Sequence, residues 1–261
     1  MSMLIHRAYK TELKLNNKQK TLCLKACGAS RFAYNWGLQQ CKNALDKKEK
    51  VPSGYELSKL LNAIKADQFP WMYEVSKNCV QHAVYAVANA FKLFFAKNAS
   101  FPRFKSKKSG AGSFKLQEIN GIRVSDTRIQ LPRLGKLRLK QRGYIPTSGV
   151  KILYATVSEK AGRWYVSVNV EQEISNVPPA KDKEPVVGVD LGIKTLATVS
   201  DGQVFASPNP LRKNLLKRLQ RQASRKQKGS NNRKKANRRV AKLHAKIANI
   251  RRHCLHNLTT K

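Results

Sequence analysis

The stretch "PVVGVDLGIKTLATVSDGQVF" (residues 185–205) decides how the last third of the chain is expected to fold. The apolar run 186–190 predicts a buried strand that ends on Asp190, a carboxylate between glycines. The Asp201-Gly202 pair is a strong hairpin signal, because both residue types tolerate the backbone angles of tight turns. The sequence therefore predicts two paired strands, with Asp190 at the end of the first and Asp201 used by the turn.

The sixty residues after Asp201 contain no Asp or Glu. Helical spacing predicts two basic helices there, at residues 211–227 and 233–260, separated by "KGSNN". An apolar seam spaced by 3.5 residues predicts that they pair as a hairpin, and it is formed by Ala236, Val240, Leu243, Ile247, Ile250 and Cys254. Eighteen Lys and Arg residues from position 211 onward would repel one another, so a polyphosphate backbone is the expected partner.

The composition of the whole chain points the same way. Its 261 residues carry a formal net charge of +37 and are 41% hydrophobic, which fits a folded protein whose partner is a large polyanion.

The sequence shows no run of about 18 apolar residues and no signal segment, so we expect a cytoplasmic, nucleoid-associated protein without a membrane partner. Five cysteines without a CxxC pair argue against a disulfide framework and a zinc ribbon.

Changes of periodicity divide the first two thirds of the chain. A strand in "IHRAYKTEL" precedes helices in "NNKQKTLCLKACGASRFAYNWGLQQCKNAL", in residues 55–66 and in "SKNCVQHAVYAVANAFKLFFAK". The stripe of the last helix, which includes Phe91 and Phe95, is expected to pack in a core. Short strands follow from residue 101, with turns at Asn120-Gly121, at Asp126 and at 159–162, and they predict a small β-barrel. The Pro-rich "SNVPPAKDKEP" predicts a domain boundary.

Several of these stretches resemble one family. "GVDLGIKTLATVSDG" resembles the first RuvC motif of the transposon-encoded TnpB (OrfB) family, RNA-guided nucleases related to type V CRISPR effectors. Six further stretches resemble family segments in family order: "GASRFAYNWGL", "AFKLFF", "FPRFKSKK", "LPRLGKLRL", "RWYVSV" and "IANIRRHCLHNLTTK". On this basis the chain is identified as a member of the family.

The resemblance implies an α+β multidomain architecture. A split β-barrel wedge domain would comprise residues 1–10 and 99–175, with a helical recognition lobe inserted at residues 11–98. A linker at 176–185 would lead to a partial RuvC domain of RNase H type at 186–261, which includes the basic helical hairpin.

The resemblance also implies an activity, Mg²⁺-dependent and RNA-guided cleavage of DNA. The partners would be a guide RNA from the transposon end and a target DNA duplex, and Asp190 would be a catalytic residue and metal ligand. Family members continue past "LHNLTTK" with a glutamate, a zinc ribbon and a second aspartate, so this chain looks C-terminally truncated. Since two-metal cleavage needs several carboxylates, residues 1–261 alone are expected not to cut DNA. No zinc is expected in this chain either, because the family's zinc ribbon follows "LHNLTTK". Two alternatives stay open, a nuclease-dead nucleic-acid binder and an unrelated basic RNA-binding protein of ribosomal type.

Basic residues in two regions are the candidate RNA contacts. They are Arg103, Lys105, Lys107 and Lys108 in "FPRFKSKK", and Arg225, Lys226, Arg233, Lys234, Lys235, Arg238 and Arg239 in the terminal helices. In the same segment, Phe101 and Phe104 could either stack on bases or pack in a core.

Candidates for reading a short DNA motif beside the target come from the third helix. Lys77 and Gln81 are four residues apart and so share one face, and the resemblance places this helix start near the flanking duplex. Gln can pair with adenine in the major groove, and Lys can donate to guanine or thymine. Gln117 and Asn120 are weaker candidates from the wedge domain.

Overall fold

The computed structural model describes residues 2–107, 112–117, 121–175, 187–207 and 213–260. These residues form an α+β protein with a large antiparallel sheet and five α-helices. The chain divides into two compact units, Met1–Asn176 and Val177–Lys261. The predicted linker at 176–185 lies outside the described residues.

Seven strands of the first unit form one sheet in the order β2-β6-β7-β1-β5-β4-β3. Their bounds are β1 Ser2–Lys14, β2 Ser113–Leu116, β3 Arg123–Val124, β4 Arg128–Leu131, β5 Gly135–Leu139, β6 Val150–Lys160 and β7 Arg163–Ser175. The central strand β1 pairs with β7 from Ser2↔Ser175 to Leu13↔Trp164, and its end pairs with β5. The turn between β6 and β7, at Ala161 and Gly162, confirms the predicted hairpin. The closed barrel stays a prediction.

Alternation along β7 shows why this sequence forms a half-buried strand. Val166, Val168 and Val170 are fully buried, while the residues between them are partly exposed. Successive side chains of a strand point to opposite faces, so the branched side chains line the core.

Three helices pack with this sheet around one hydrophobic core: α1 Asn17–Asp46, α2 Gly54–Gln68 and α3 Lys77–Phe95. A short 3-10 helix, Pro70–Glu74, connects α2 to α3. Asn16 caps α1: its Oδ1 accepts from the Gln19 N–H at 2.8 Å, and the Gln19 side chain accepts from the Asn16 N–H at 3.1 Å. Ser53 and Glu56 form the same capping box at α2.

The stripe of α3 is buried over most of its length but not at its end. Phe91 is 1% exposed, as predicted, whereas the prediction of core packing is wrong for Phe95, which is 55% exposed. Phe95 is the last residue of α3, where its ring lies 6.0 Å from that of Phe91 and 5.4 Å from that of Phe94. It therefore covers the edge of the core instead of filling it.

The second unit contains a three-stranded sheet and two helices. The sheet order is β10-β9-β8, with β8 Val189–Asp190, β9 Thr195–Val199 and β10 Val204–Ala206. The predicted hairpin is confirmed, because Asp201 Oδ1 accepts from the Gln203 N–H at 3.0 Å and Gly202 has a φ of 87°. The prediction of a buried strand is wrong for its described residues: Val189 is 52% exposed, because β8 is a two-residue edge strand that pairs with β9 alone.

The helices α4, Lys213–Ser224, and α5, Asn231–Thr260, pack against each other, which confirms the predicted helical hairpin. The predicted seam is only partly buried, since Ala236 and Ile247 are buried but Ile250 is 37% exposed. No helix in the described part of the chain is long and apolar enough to cross a bilayer.

Candidate nucleic-acid interface

A groove of about 820 Å³ lies between α2, the 3-10 helix, the start of α3 and the β4–β5 turn of the first unit; we call it the α3 groove. Leu61, Val80 and Val84 form apolar parts of its wall. Its polar lining consists of Ser58, Asn62, Lys65, Tyr73, Ser76, Lys77, Gln81 and Arg133. Three of these side chains are cationic and none is acidic, so the groove favours a negatively charged ligand.

The structure brings two of the predicted motif-reading residues together in this groove. Lys77 is the first residue of α3 and Gln81 lies one turn later, and both are exposed. Gln117 is also exposed, but it follows β2 and does not line the groove. Asn120 lies outside the described residues.

Lys65, a further cation of the groove, was not predicted from the sequence. It is 7% exposed, and its ammonium lies 4.4 Å from the centre of the Tyr73 ring. Burial lowers the pKa of this ammonium from its usual value. A signal was present, because Lys65 continues the four-residue spacing of the buried Leu57 and Leu61 and so places a cation on the apolar stripe of α2.

The segment 101–107, here called the basic strap, crosses the first unit without regular secondary structure except at its last residue. Asn35 on α1 fixes it: the Asn35 amide donates to the Lys105 carbonyl at 2.9 Å and its oxygen accepts from the Lys105 N–H at 2.7 Å. The Lys105 ammonium lies 3.8 Å from the centre of the Tyr34 ring, and burial lowers its pKa. Arg103 and Lys107 are exposed on the strap, whereas Lys108 lies outside the described residues.

The two aromatic side chains of the strap have different environments. Phe101 is 38% exposed and packs edge-on against Phe91 at 5.5 Å and Phe94 at 5.2 Å, so it contributes to the core. Phe104 is 48% exposed, with the Lys42 ammonium 5.2 Å from its ring centre. An exposed ring beside a cation is a suitable surface for an unpaired base, so stacking stays a prediction for Phe104.

In the second unit, a groove of about 530 Å³ lies between α4 and α5, and we call it the hairpin groove. Its cationic wall consists of Arg225, Lys226, Lys235 and Arg239, all predicted from the sequence. Gln222 and Asn232 add amide groups, and no carboxylate lines it. Converging cations without counter-charges form the kind of surface that binds a phosphate backbone.

The remaining basic candidates of the second unit are placed elsewhere. The Arg233 guanidinium donates to the Lys226 carbonyl at 3.1 Å and so supports the connection between the helices. The Lys234 ammonium lies 3.3 Å from Asn231 Oδ1, and Lys234 and Arg238 are exposed on α5 outside the groove.

Asp190 ends β8, pairs with Thr198 and is exposed. Gly192 follows because the chain turns tightly there: an added Cβ would lie 3.0 Å from the Thr195 carbonyl oxygen. Across the described ranges, no three His, Cys, Asp or Glu side chains are grouped so that they could hold a metal ion. A pair of Mg²⁺ ions needs several carboxylates, so the described residues do not fit a complete two-metal site.

Comparisons with known proteins give consistent matches. Residues 165–261 match the OrfB_IS605 family model, described as a probable transposase. Residues 1–50 match the HTH_OrfB_IS605 model, described as a helix-turn-helix domain. In this structure the described part of that second region is β1 followed by the single continuous helix α1.

Two curated relatives align with nearly the whole chain. "Putative RNA-guided DNA endonuclease InsQ" of Escherichia coli (strain K12) is 37% identical over 97% of this chain and 62% of its own length. A protein of Streptomyces pristinaespiralis, also named an RNA-guided DNA endonuclease, is 32% identical over 100% of this chain and 65% of its own length. The chain thus spans a little less than two thirds of these relatives.

Among solved structures, the cryo-EM structure of a Cas12f1-sgRNA-target DNA complex aligns with 97% of this chain and 68% of that chain. The TM-score is 0.30 and the sequence identity 10%, values too low to support an argument.

Proposed function

The chain belongs to the OrfB (TnpB) family of transposon-encoded proteins, and on that premise we propose that it binds a guide RNA and uses it to recognise duplex DNA. Relatives named RNA-guided DNA endonucleases support this proposal, because they align with 97% and 100% of the chain. A guide RNA derived from the transposon end is the proposed first partner, and a target duplex is the second.

The single observation that carries RNA binding is the hairpin groove. Four cations line its 530 Å³ without a carboxylate among the lining residues. Holding them together in the free protein costs electrostatic energy, which the phosphates of a bound polynucleotide offset while counterions are released. The exposed Arg103 and Lys107 of the basic strap are proposed as further RNA contacts.

The α3 groove is proposed to receive the DNA that flanks the target. Gln81 is exposed and lines it, and its carboxamide can pair with adenine N6 and N7 in the major groove. Lys77, one turn earlier, can donate to guanine or to thymine O4. A helix that presents both residues suits a short mixed motif. Gln117 and Asn120 remain weaker proposals for the same role.

Asp190 is proposed as a Mg²⁺ ligand of a RuvC site. Mg²⁺ prefers carboxylate oxygens, and Asp190 presents an exposed carboxylate at the end of β8. In two-metal enzymes the ions activate water and stabilise the leaving oxygen. One carboxylate does not satisfy two ions, so the proposed role of Asp190 in this chain is limited to contributing one ligand.

RNA bound during expression tests this proposal. The chain would be purified from a host that carries its transposon end, and the retained RNA would be sequenced. We expect enrichment of transposon-end transcript, and we expect the Lys235→Gln/Arg239→Gln variant to retain less of it. The matched control is Lys234→Gln/Arg238→Gln, which removes the same charge from the same helix outside the groove.

The alternatives give different results in this experiment. A general nucleic-acid binder would retain cellular RNA without enrichment, and a ribosomal-type protein would retain ribosomal RNA. In either case the proposed guide function would be wrong. Equal losses in the two double variants would show instead that total charge, and not the hairpin groove, holds the RNA.

A further inference from the structure

Lys65 is a buried cation for which the described residues provide no carboxylate. Only 7% of the residue is exposed, and its ammonium lies against the Tyr73 ring at 4.4 Å from the ring centre. The ion pairs formed within the described ranges involve other side chains. Burying an unpaired charge opposes folding, and the lowered pKa of Lys65 reflects the same loss of hydration. Within the described ranges the ammonium has the Tyr73 ring beside it but no counter-charge, and it lies on the lining of the α3 groove, where an anion can reach it.

Arg133 on the opposite wall of the α3 groove has an unfavourable backbone. Its φ is 63°, in the left-handed region that glycine adopts without strain and other residues seldom adopt. The side chain is exposed at the β4–β5 turn and lines the groove. Strained positions of this kind often coincide with functional sites. An arginine in a glycine-type turn position is explained if its guanidinium is needed in the groove.

The start of α3 adds a third source of positive potential. Ser76 caps this 19-residue helix and Lys77 is its first residue, and both line the groove. The helix dipole makes such a start favourable for an anion. Two cationic side chains other than Lys77, one of them buried and unpaired, therefore share a groove with a helix N-terminus.

We propose that the α3 groove holds a backbone phosphate of a nucleic acid between Lys65, Lys77 and Arg133. This inference rests on the proposed function for the identity of the polymer, and it adds Lys65 and Arg133 to the binding residues. Lysine acts as a point charge toward phosphate, whereas the planar guanidinium of arginine can bind two phosphate oxygens at once. A bound phosphate supplies the counter-charge that Lys65 otherwise lacks.

A phosphate held here would also position the polymer. Backbone contacts fix the register of a nucleic acid but carry no sequence information, whereas contacts to base edges do. Lys65 lies on the groove wall with Gln81, so an anchored strand would be presented to the side chain proposed to read a base. We infer that Lys65 acts on affinity for every sequence and Gln81 on the preference at one base pair.

The first test is Lys65→Met, which keeps an unbranched apolar stem and removes the charge. Its urea midpoint is expected to equal or exceed that of the parent, because a buried charge is lost. Affinity for a short DNA duplex or an RNA hairpin is expected to fall about tenfold, the loss typical of one charged hydrogen bond. The slope of log affinity against log salt should shrink by about 0.9 for the duplex, or about 0.7 if a single strand is bound. The polymer that shows the loss identifies the source of the phosphate.

Lys59→Met is the matched control, because Lys59 is exposed on the same helix and lies outside the α3 groove. Its effect on affinity is expected to be much smaller than that of Lys65→Met. Equal effects of the two variants, or unchanged affinity for both polymers in Lys65→Met, would overturn the proposal. Lys65 would then be a core residue whose ammonium only packs on Tyr73.

Arg133→Gly keeps the test decisive if Lys65→Met does not fold. Glycine suits the left-handed turn position, so stability is expected to hold or rise while affinity for the nucleic acid falls.

Inorganic phosphate, titrated at constant ionic strength, gives a third test that needs no nucleic acid. It should raise the melting temperature of the parent more than that of Arg133→Gly. Stabilisation by inorganic phosphate with unchanged affinity for both polymers would refute the nucleic-acid assignment without affecting the proposed guide function elsewhere.

Discussion

The Asn35 side chain bonds both polar groups of the Lys105 backbone: Asn35 Nδ2 donates to the Lys105 carbonyl oxygen at 2.9 Å, and Asn35 Oδ1 accepts from the Lys105 N–H at 2.7 Å. These bonds connect α1 to the basic strap across 70 residues of sequence. The strap has little regular structure of its own, so this contact, together with the packing of Phe101 on α3, holds its cationic side chains in position.

We therefore predict that Asn35→Ala weakens RNA binding although Asn35 carries no charge. Unfolding should require about 1–3 kcal/mol less free energy, as for loss of two typical hydrogen bonds, while RNA affinity falls more than that of a control. The control is Asn43→Ala, also on α1, whose side chain bonds only to the neighbouring Gln39 in the described structure. Filter binding and urea titration measure the two effects. RNA affinity equal to that of Asn43→Ala would show that the strap needs no anchor.

The ends of the α3 stripe should differ in their contribution to stability. Phe91→Ala removes a ring that is 1% exposed and should cost about 3–5 kcal/mol of unfolding free energy. Phe95→Ala removes a ring that is 55% exposed and should cost no more than about 1 kcal/mol. Chemical denaturation of both variants checks the comparison. Similar costs would mean that Phe95 is buried in solution.

The buried thiols give a prediction for alkaline pH. Burial raises the pKa of Cys23, Cys27 and Cys79 from 9.0 to about 12. Above pH 9 these thiols ionise in the unfolded chain but not in the folded one, so stability is full below that pH and declines as the pH approaches 12. Urea midpoints measured from pH 7 to pH 11 should therefore fall steadily above pH 9. A constant midpoint over this range would contradict the buried positions.

Thiol labelling checks the same burial by a second route. A thiolate is the species that reacts, so buried neutral thiols react slowly. Cys254 is only half-buried on α5 and should be alkylated first in the native protein. All five cysteines should react in urea. Native labelling of Cys23 as fast as that of Cys254 would contradict the fold.

Much of the local structure could be predicted from the sequence because its signals are local. The Asp201-Gly202 hairpin formed as predicted, since its signal lies in residues close in sequence. The prediction that Phe95 packs in the core was wrong, because the periodicity of a helix does not show where the core beneath it ends. The prediction that β8 is buried was wrong, because an apolar run does not show how many strands will pack around it.

The candidate sites divide in the same way. The cations of the hairpin groove were predicted because their density is visible in the sequence, but which of them converge depends on the packing of α4 against α5. Lys65 and Arg133 are 68 positions apart and meet only in the folded α3 groove. Their pairing could not be obtained from spacing, although a lysine on an apolar stripe was a usable signal.

The role of Gln81 can be separated from that of general binding. With guide RNA bound, a selection over randomised flanking DNA should give a defined motif for the parent. Gln81→Ala should relax the preference at one base pair and cost about 1–3 kcal/mol of binding free energy on the preferred sequence. Asn89→Ala, an exposed amide on the same helix outside the α3 groove, is the control and should leave the motif unchanged. An identical motif and affinity in Gln81→Ala would remove this residue from the reading surface.

The most direct test of the central claim is duplex binding as a function of guide sequence. The purified chain, loaded with transposon-end RNA carrying a chosen guide, would be incubated at moderate salt with matched and scrambled duplexes that share the same flanks. RNA-guided recognition predicts retention of the matched duplex and little retention of the scrambled one, with the difference abolished when the RNA is removed. Equal retention of both duplexes, with or without RNA, would contradict the claim and leave a basic protein that binds nucleic acid by charge alone.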